Sequence, residues 1–110
     1  IPRAVVAIDP RLVVPTLGAN QPVQPMDFVH GMRWPIQLHV AELDPIVRPE
    51  HVRDYRDRLV LKGLTHQCFT HAGVDRGFVW PSDPGHRPQL TAAVRKRTDV
   101  FLRRIARATQ

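Results

Sequence analysis

Serine occurs once in the 110 residues, at Ser82, and cysteine once, at Cys68. A single cysteine excludes an intrachain disulfide framework, which points to a reducing, cytoplasmic setting. No apolar run approaches the 18 residues a membrane helix needs, and no signal-peptide pattern opens the chain. Lysine is also scarce, two against fourteen arginines, so the net charge of +6 is carried by arginine. That charge is uneven: residues 91–110 hold six basic side chains against Asp99, and the rest of the chain is nearly neutral. With 43% hydrophobic and 24% charged residues, the composition is that of a globular domain and not of a disordered segment. The length bounds it to one domain at most, spanning 1–110, or part of a larger one.

The run RAVVAI, residues 3–8, is short, apolar and β-branched, as in a buried strand of a parallel sheet. The stretch from Pro10 to Pro35 carries five prolines, which forbid a long regular element and imply an extended excursion over the surface. IQLHVA, residues 36–41, reads as a second strand, and Asp44-Pro45 as the turn after it. Pro49 suits the first turn of a helix, Glu50 favours its positive end, and Gly63 supplies the stop. Val52, Tyr55 and Leu59 form the apolar stripe of that helix, with Arg53/Asp57 and Asp54/Arg58 spaced for ion pairs on its outer face. THQCFTH, residues 65–71, reads as a third strand. A final helix from about Gln89 to Ala108 would bury Leu90, Val94, Phe101, Ile105 and Ala108. Strands separated by helices give right-handed crossovers and a parallel sheet. The expected fold class is therefore α/β, with about three parallel strands and two main helices. Three strands are few for such a sheet, so at least one edge should need a partner.

PIQLHVAELDPIVRPEHVRDYRDRL resembles the strand, acid-bearing loop and following helix of the dienelactone hydrolase family, in its C-terminal half. RAVVAI is similar to the strand after the nucleophile-bearing helix, GVDRGF to the histidine-Gly-Phe segment, and RTDVFLRRI to the closing helix. The resemblance covers nearly the whole chain and implies a partial α/β-hydrolase fold acting on a small ester, lactone or thioester. Such chemistry takes a nucleophile on a G-x-S-x-G turn or its cysteine variant, then a carboxylate, then a histidine base, in that chain order. By this resemblance Asp44 occupies the acid position. No glycine flanks Ser82 or Cys68 in the elbow pattern, so the nucleophile would belong upstream of Ile1. Placing Gly77-Phe78 on the family's pair puts Arg76 in the histidine position; aligning on Ala72-Gly73 instead puts Val74 in it. An arginine cannot act as general base because it does not lose its proton at working pH, but it can pair with Asp44. His71, five residues before Arg76, is an alternative base, and His86 a weaker one.

On this reading the chain alone is catalytically incomplete. It needs either an N-terminal half-domain or a second copy to cover an open sheet edge. The alternative is a non-catalytic binding or assembly module on a hydrolase scaffold, a pseudoenzyme. His66 and Cys68 share a strand face, yet no second chelating pair accompanies them, so neither a metal nor another cofactor is expected. The basic final helix offers no stacking aromatic apart from Phe101, which belongs to the apolar stripe, so nucleic acid is not the expected partner.

Overall fold

The computed structural model describes residues 3–13, 17 and 24–108. Three parallel strands, β1 (Val5–Ile8), β2 (Ile36–Ala41) and β3 (His66–His71), form one sheet in the order β1-β2-β3. Helix α1 (Pro49–Lys62) connects β2 to β3, and α2 (Pro88–Ala108) follows β3. This is the α/β architecture expected from the alternation of strand and helix patterns.

The ends of α1 follow from its punctuation. Pro49 opens it, where the missing N–H costs nothing, and Gly63 closes it in the left-handed region at φ 70°. The Gly63 and Leu64 N–H groups then return to the carbonyls of Val60 and Leu59. Val52, Tyr55 and Leu59 are buried as the stripe requires. Of the two outer-face pairs, Asp54 and Arg58 meet at 3.3 Å. Arg58 turns also to Asp27, which lies outside the helix.

All six residues of β2 are buried, because strands flank both its edges and a layer covers each face. Ile36, Leu38 and Val40 point into the larger core with Val52, Tyr55 and Leu59 of α1. Gln37 and His39 point to the opposite face, under α2. A second, smaller core of Ala41, Val74, Phe78 and Val94 lies where α2 meets the loops at the C-terminal rim of the sheet.

Two expectations are corrected. Strand β1 is only partly buried, with Ile8 38% exposed, because among the described strands it has a neighbour on one side alone. The segment 10–35 is not merely a surface excursion. Within it Pro25–Gly31 forms a 3-10 helix, and Leu12, Met26 and Val29 enter the larger core. Proline prevented a long element but not a short one, since Pro25 takes the first position of that helix, where no donor is needed. Residues 14–16 and 18–23 of the same segment lie outside the described residues. In α2, Val94 and Phe101 are buried and Ala108 is exposed, so the apolar stripe ends before the helix does.

Leu59, 1% exposed at the centre of the larger core, should be costly to truncate. Leu59→Ala is expected to destabilise the fold by about 2–5 kcal/mol in urea denaturation, through lost burial and the cavity left behind. Leu61, 88% exposed on the same helix, should tolerate alanine within about 0.5 kcal/mol.

Candidate functional site

Parallel strands deliver their carboxyl ends to one rim, and the loops leaving that rim carry the polar residues of interest. The loop after β2 and the loop after β3 are laced together. Glu42 N–H donates to the His71 carbonyl, Leu43 N–H to the Val74 carbonyl, and Gly73 N–H to the Glu42 carboxylate. Asp44 sits between them with its side chain fully buried. Its Oδ1 accepts from the N–H groups of Ile46 (2.8 Å) and Val47 (3.3 Å), an Asx-type closure of the turn before α1. Its Oδ2 accepts from Arg76 Nη1 at 2.9 Å. Asp44 thus shapes its own turn and holds a cation at the rim, both with one carboxylate.

Arg76 is set in place by the residues that follow it. Phe78 is fully buried in the smaller core, and its carbonyl accepts from Arg87 N–H and the Thr91 hydroxyl at the start of α2. Gly77 has no room for a β-carbon, because the Asp83 carboxylate occupies that space. Its absent side chain lets the 80–86 loop fold back over it, which fixes Arg76 between a buried aromatic anchor and the rim.

His71 is not brought to Asp44. Its Nε2 lies 2.9 Å from Nδ1 of His39, and the two rings stack with centroids 5.2 Å apart. The proton positions follow from the partners. Gln37 Nε2 donates to the Arg97 carbonyl, so Gln37 Oε1 is an acceptor and the His39 Nε2 that meets it at 2.8 Å must donate. A neutral His39 then accepts at Nδ1 from His71 Nε2–H. Burial pushes His39 down to about 4, and the charges of His71 and Arg97 act in the same direction. His71 is lowered as well, by burial first and then by Arg97. His86 keeps to the loop over Gly77, its N–H donating to the Asp83 carbonyl.

Cys68 is half-buried against the larger core, and burial raises its thiol above the usual range, which disfavours the nucleophilic thiolate. His66 turns its Nδ1 to the Leu64 carbonyl. Among the described residues no group of three or more His, Cys, Asp or Glu side chains could hold a metal ion. Nor is any described helix long and apolar enough to cross a membrane.

Sequence reasoning missed two features. One is the buried Gln37–His39 network, whose signal is the alternation of polar 37 and 39 with apolar 36, 38 and 40. The other is Asp9, 4% exposed directly after β1, with Oδ1 accepting from Ala41 N–H at 2.7 Å. Asp9 and Arg76 both line a cavity of about 390 Å³ between the end of β1 and α2, together with Trp80 and Arg95.

Solved hydrolases share this fold. A structure from Klebsiella pneumoniae subsp. pneumoniae MGH 78578, assigned as a dienelactone hydrolase, superposes on 91% of the chain with a TM-score of 0.79 at 17% identity. The apo form of Thermogutta terrifontis esterase 2 superposes on 93% with a TM-score of 0.69 at 19% identity. The chain spans only 41% and 42% of those two proteins. No curated protein sequence matches it. The fold is thus that of part of an α/β hydrolase. The dienelactone hydrolase family model matches residues 4–106, and the chain belongs to that family.

The histidine pair makes a testable statement. Unfolded, His39 takes up a proton near pH 6.5; folded, it does so only near pH 4. Between these values the unfolded chain binds more protons, so the contribution of His39 to stability is complete above pH 6.5 and is lost as pH falls toward 4. NMR of the imidazole should show His39 still neutral at pH 5, with a midpoint near 4; a midpoint near 6.5 would contradict the buried arrangement.

Proposed function

We propose that this chain is the acid-bearing C-terminal half-domain of a dienelactone hydrolase-type enzyme, and that alone it is catalytically incomplete. Its substrate class would be a small ester, lactone or thioester. The observation that carries this reading is the Asp44–Arg76 pair: the carboxylate expected to orient a histidine base holds a guanidinium instead. A guanidinium stays protonated and cannot take the proton of a serine or cysteine nucleophile. Of the two candidate bases, His71 meets His39 through Nε2, an arrangement that does not prepare it as a base on Asp44, and His86 keeps to the loop over Gly77.

In this scheme Asp44 is the acid, and the nucleophile elbow, the histidine base and the oxyanion donors come from other polypeptide, which would extend the sheet at the outer edge of β1. Strand β1 is only partly buried, and the cavity beside it is lined by Asp9 and Arg76. An N-terminal half-domain suits it better than a second copy, because a parallel strand followed by a helix is the element that α/β sheets repeat. A cytoplasmic location belongs to the same reading, on the strength of the lone half-buried thiol of Cys68.

The second reading is a non-catalytic binding or assembly module, and the same ion pair favours it. A rim closed by a salt bridge is stable without substrate and has no proton acceptor to offer.

The two separate on one preparation. Native mass spectrometry of the protein with its companions retained, followed by hydrolysis assays on short p-nitrophenyl esters, should give a complex with a second polypeptide and turnover only in that complex. Asp44→Asn should then lower kcat, by about tenfold or more, with KM little changed. A homo-oligomer of this chain without turnover would support the assembly module. Turnover by the isolated chain that Asp44→Asn abolishes would overturn the claim of incompleteness.

A further inference from the structure

Asp9 is an odd residue to find buried where it is. Its backbone adopts φ 48°, the left-handed region, which a non-glycine residue enters at a cost and in which Asp and Asn are the best tolerated. Its Oδ1 is tied to Ala41 N–H, the last residue of β2. Its Oδ2 is buried and has no donor among the described residues. What its side chain meets is another carboxylate, that of Asp44. Two facing carboxylate oxygens cannot bond to each other without a proton between them, and an unsatisfied buried charge costs far more than a shared one.

We propose that in mildly acidic solution Asp9 and Asp44 share a single proton, carried by Asp9, so that Asp9 is a positioning residue whose Oδ2–H donates to Asp44 and steadies that carboxylate against Arg76. The donors around Asp44 are then complete: two backbone N–H groups on Oδ1, and Arg76 with Asp9 on its remaining acceptor sites. The charge at the rim is also complete, since one carboxylate faces one guanidinium. When Asp9 ionises at higher pH, two carboxylates compete for Arg76 and the buried cluster carries an excess negative charge. Charged groups reach Asp9 from each element packed around it. They are Asp44 from the loop after β2, Arg76 from the loop after β3, and Arg95 of α2 across the cavity. Burial is the largest influence and pushes Asp9 up to about 6; the Ala41 N–H and Arg76 lower it, and Asp44 raises it. The proposal stands whether or not the chain contributes to a hydrolase, because it concerns the cluster itself.

Asp9→Asn tests it. Asparagine tolerates the same backbone, keeps an acceptor for Ala41 N–H, and places an N–H donor where the shared proton stood. Wild-type Asp9 has a folded value near 6 against 3.8 when unfolded. The folded chain therefore binds more protons in that window, and the wild type gains stability as pH falls through it, whereas the asparagine variant cannot. In urea denaturation, the ratio of the folding constants, variant to wild type, should fall about tenfold from pH 7.5 to pH 5. Taking the ratio cancels the opposite trend of His39 and His71. The carboxyl carbon of Asp9 in the wild type should titrate near pH 6 by NMR, a measurement that needs no variant to fold. Asp9→Ala, which offers no donor, should be less stable than Asp9→Asn at both pH values. A ratio that does not change with pH, or an Asp9 carbon titrating near 3.8, would overturn the shared proton and leave Asp9 a purely structural tie to Ala41.

Discussion

Strand β2 has no surface of its own, and most of what surrounds it follows from that constraint. Parallel strands saturate both its edges, so every one of its side chains must be accepted by a covering layer. On one face the solution is apolar, with Ile36, Leu38 and Val40 against α1. On the other it is polar. Gln37 and His39 are admitted under α2 only because the Arg97 carbonyl, Thr98, Gln67 and His71 supply partners for their donors and acceptors. Val94, Thr98 and Phe101 lie on one face of α2, so apolar burial and specific hydrogen bonds together seat the helix on the sheet.

That placement reaches the rim directly. Thr91 on the first turn of α2 holds the Phe78 carbonyl, Phe78 anchors the loop, and the loop presents Arg76 to Asp44. Meanwhile the end of β2 reaches Asp9 through Ala41 N–H and the Asp44 turn through the Ala41 carbonyl. The three charged side chains of the cluster thus arrive from the ends of three different strands. Their convergence belongs to the sheet and not to any one loop. This is the ordinary logic of α/β sites, applied here to an ion pair and the aspartate beside it.

Much of the framework was legible in the sequence because local chemistry sets it. Pro49 and Gly63 bound α1, the β-branched and apolar run sets β2, and the fourfold spacing of Asp54 and Arg58 brings them together. Asp44 and Arg76 could be singled out because each stands at a recognisable point of a family pattern. Asp9 could not. Its importance lies in a hydrogen bond to a residue 32 positions away and in a left-handed backbone, neither of which leaves a local mark. The core residues Leu12, Met26 and Val29 were hidden for another reason: prolines are read as ending order, although they also begin short helices. The partial exposure of β1 was missed because an apolar run reports affinity for burial and not what is present to provide it.

The account rests on Asp44 and Arg76 acting as one unit at the rim. A double-mutant cycle with Asp44→Asn and Arg76→Gln, read by urea denaturation at pH 7.5, tests that most directly. A coupling of about 1–2 kcal/mol is predicted, modest because Arg76 is partly exposed while Asp44 is not. Strictly additive effects would mean that Arg76 is not the partner of Asp44 in solution, and that the acid remains available to orient a base.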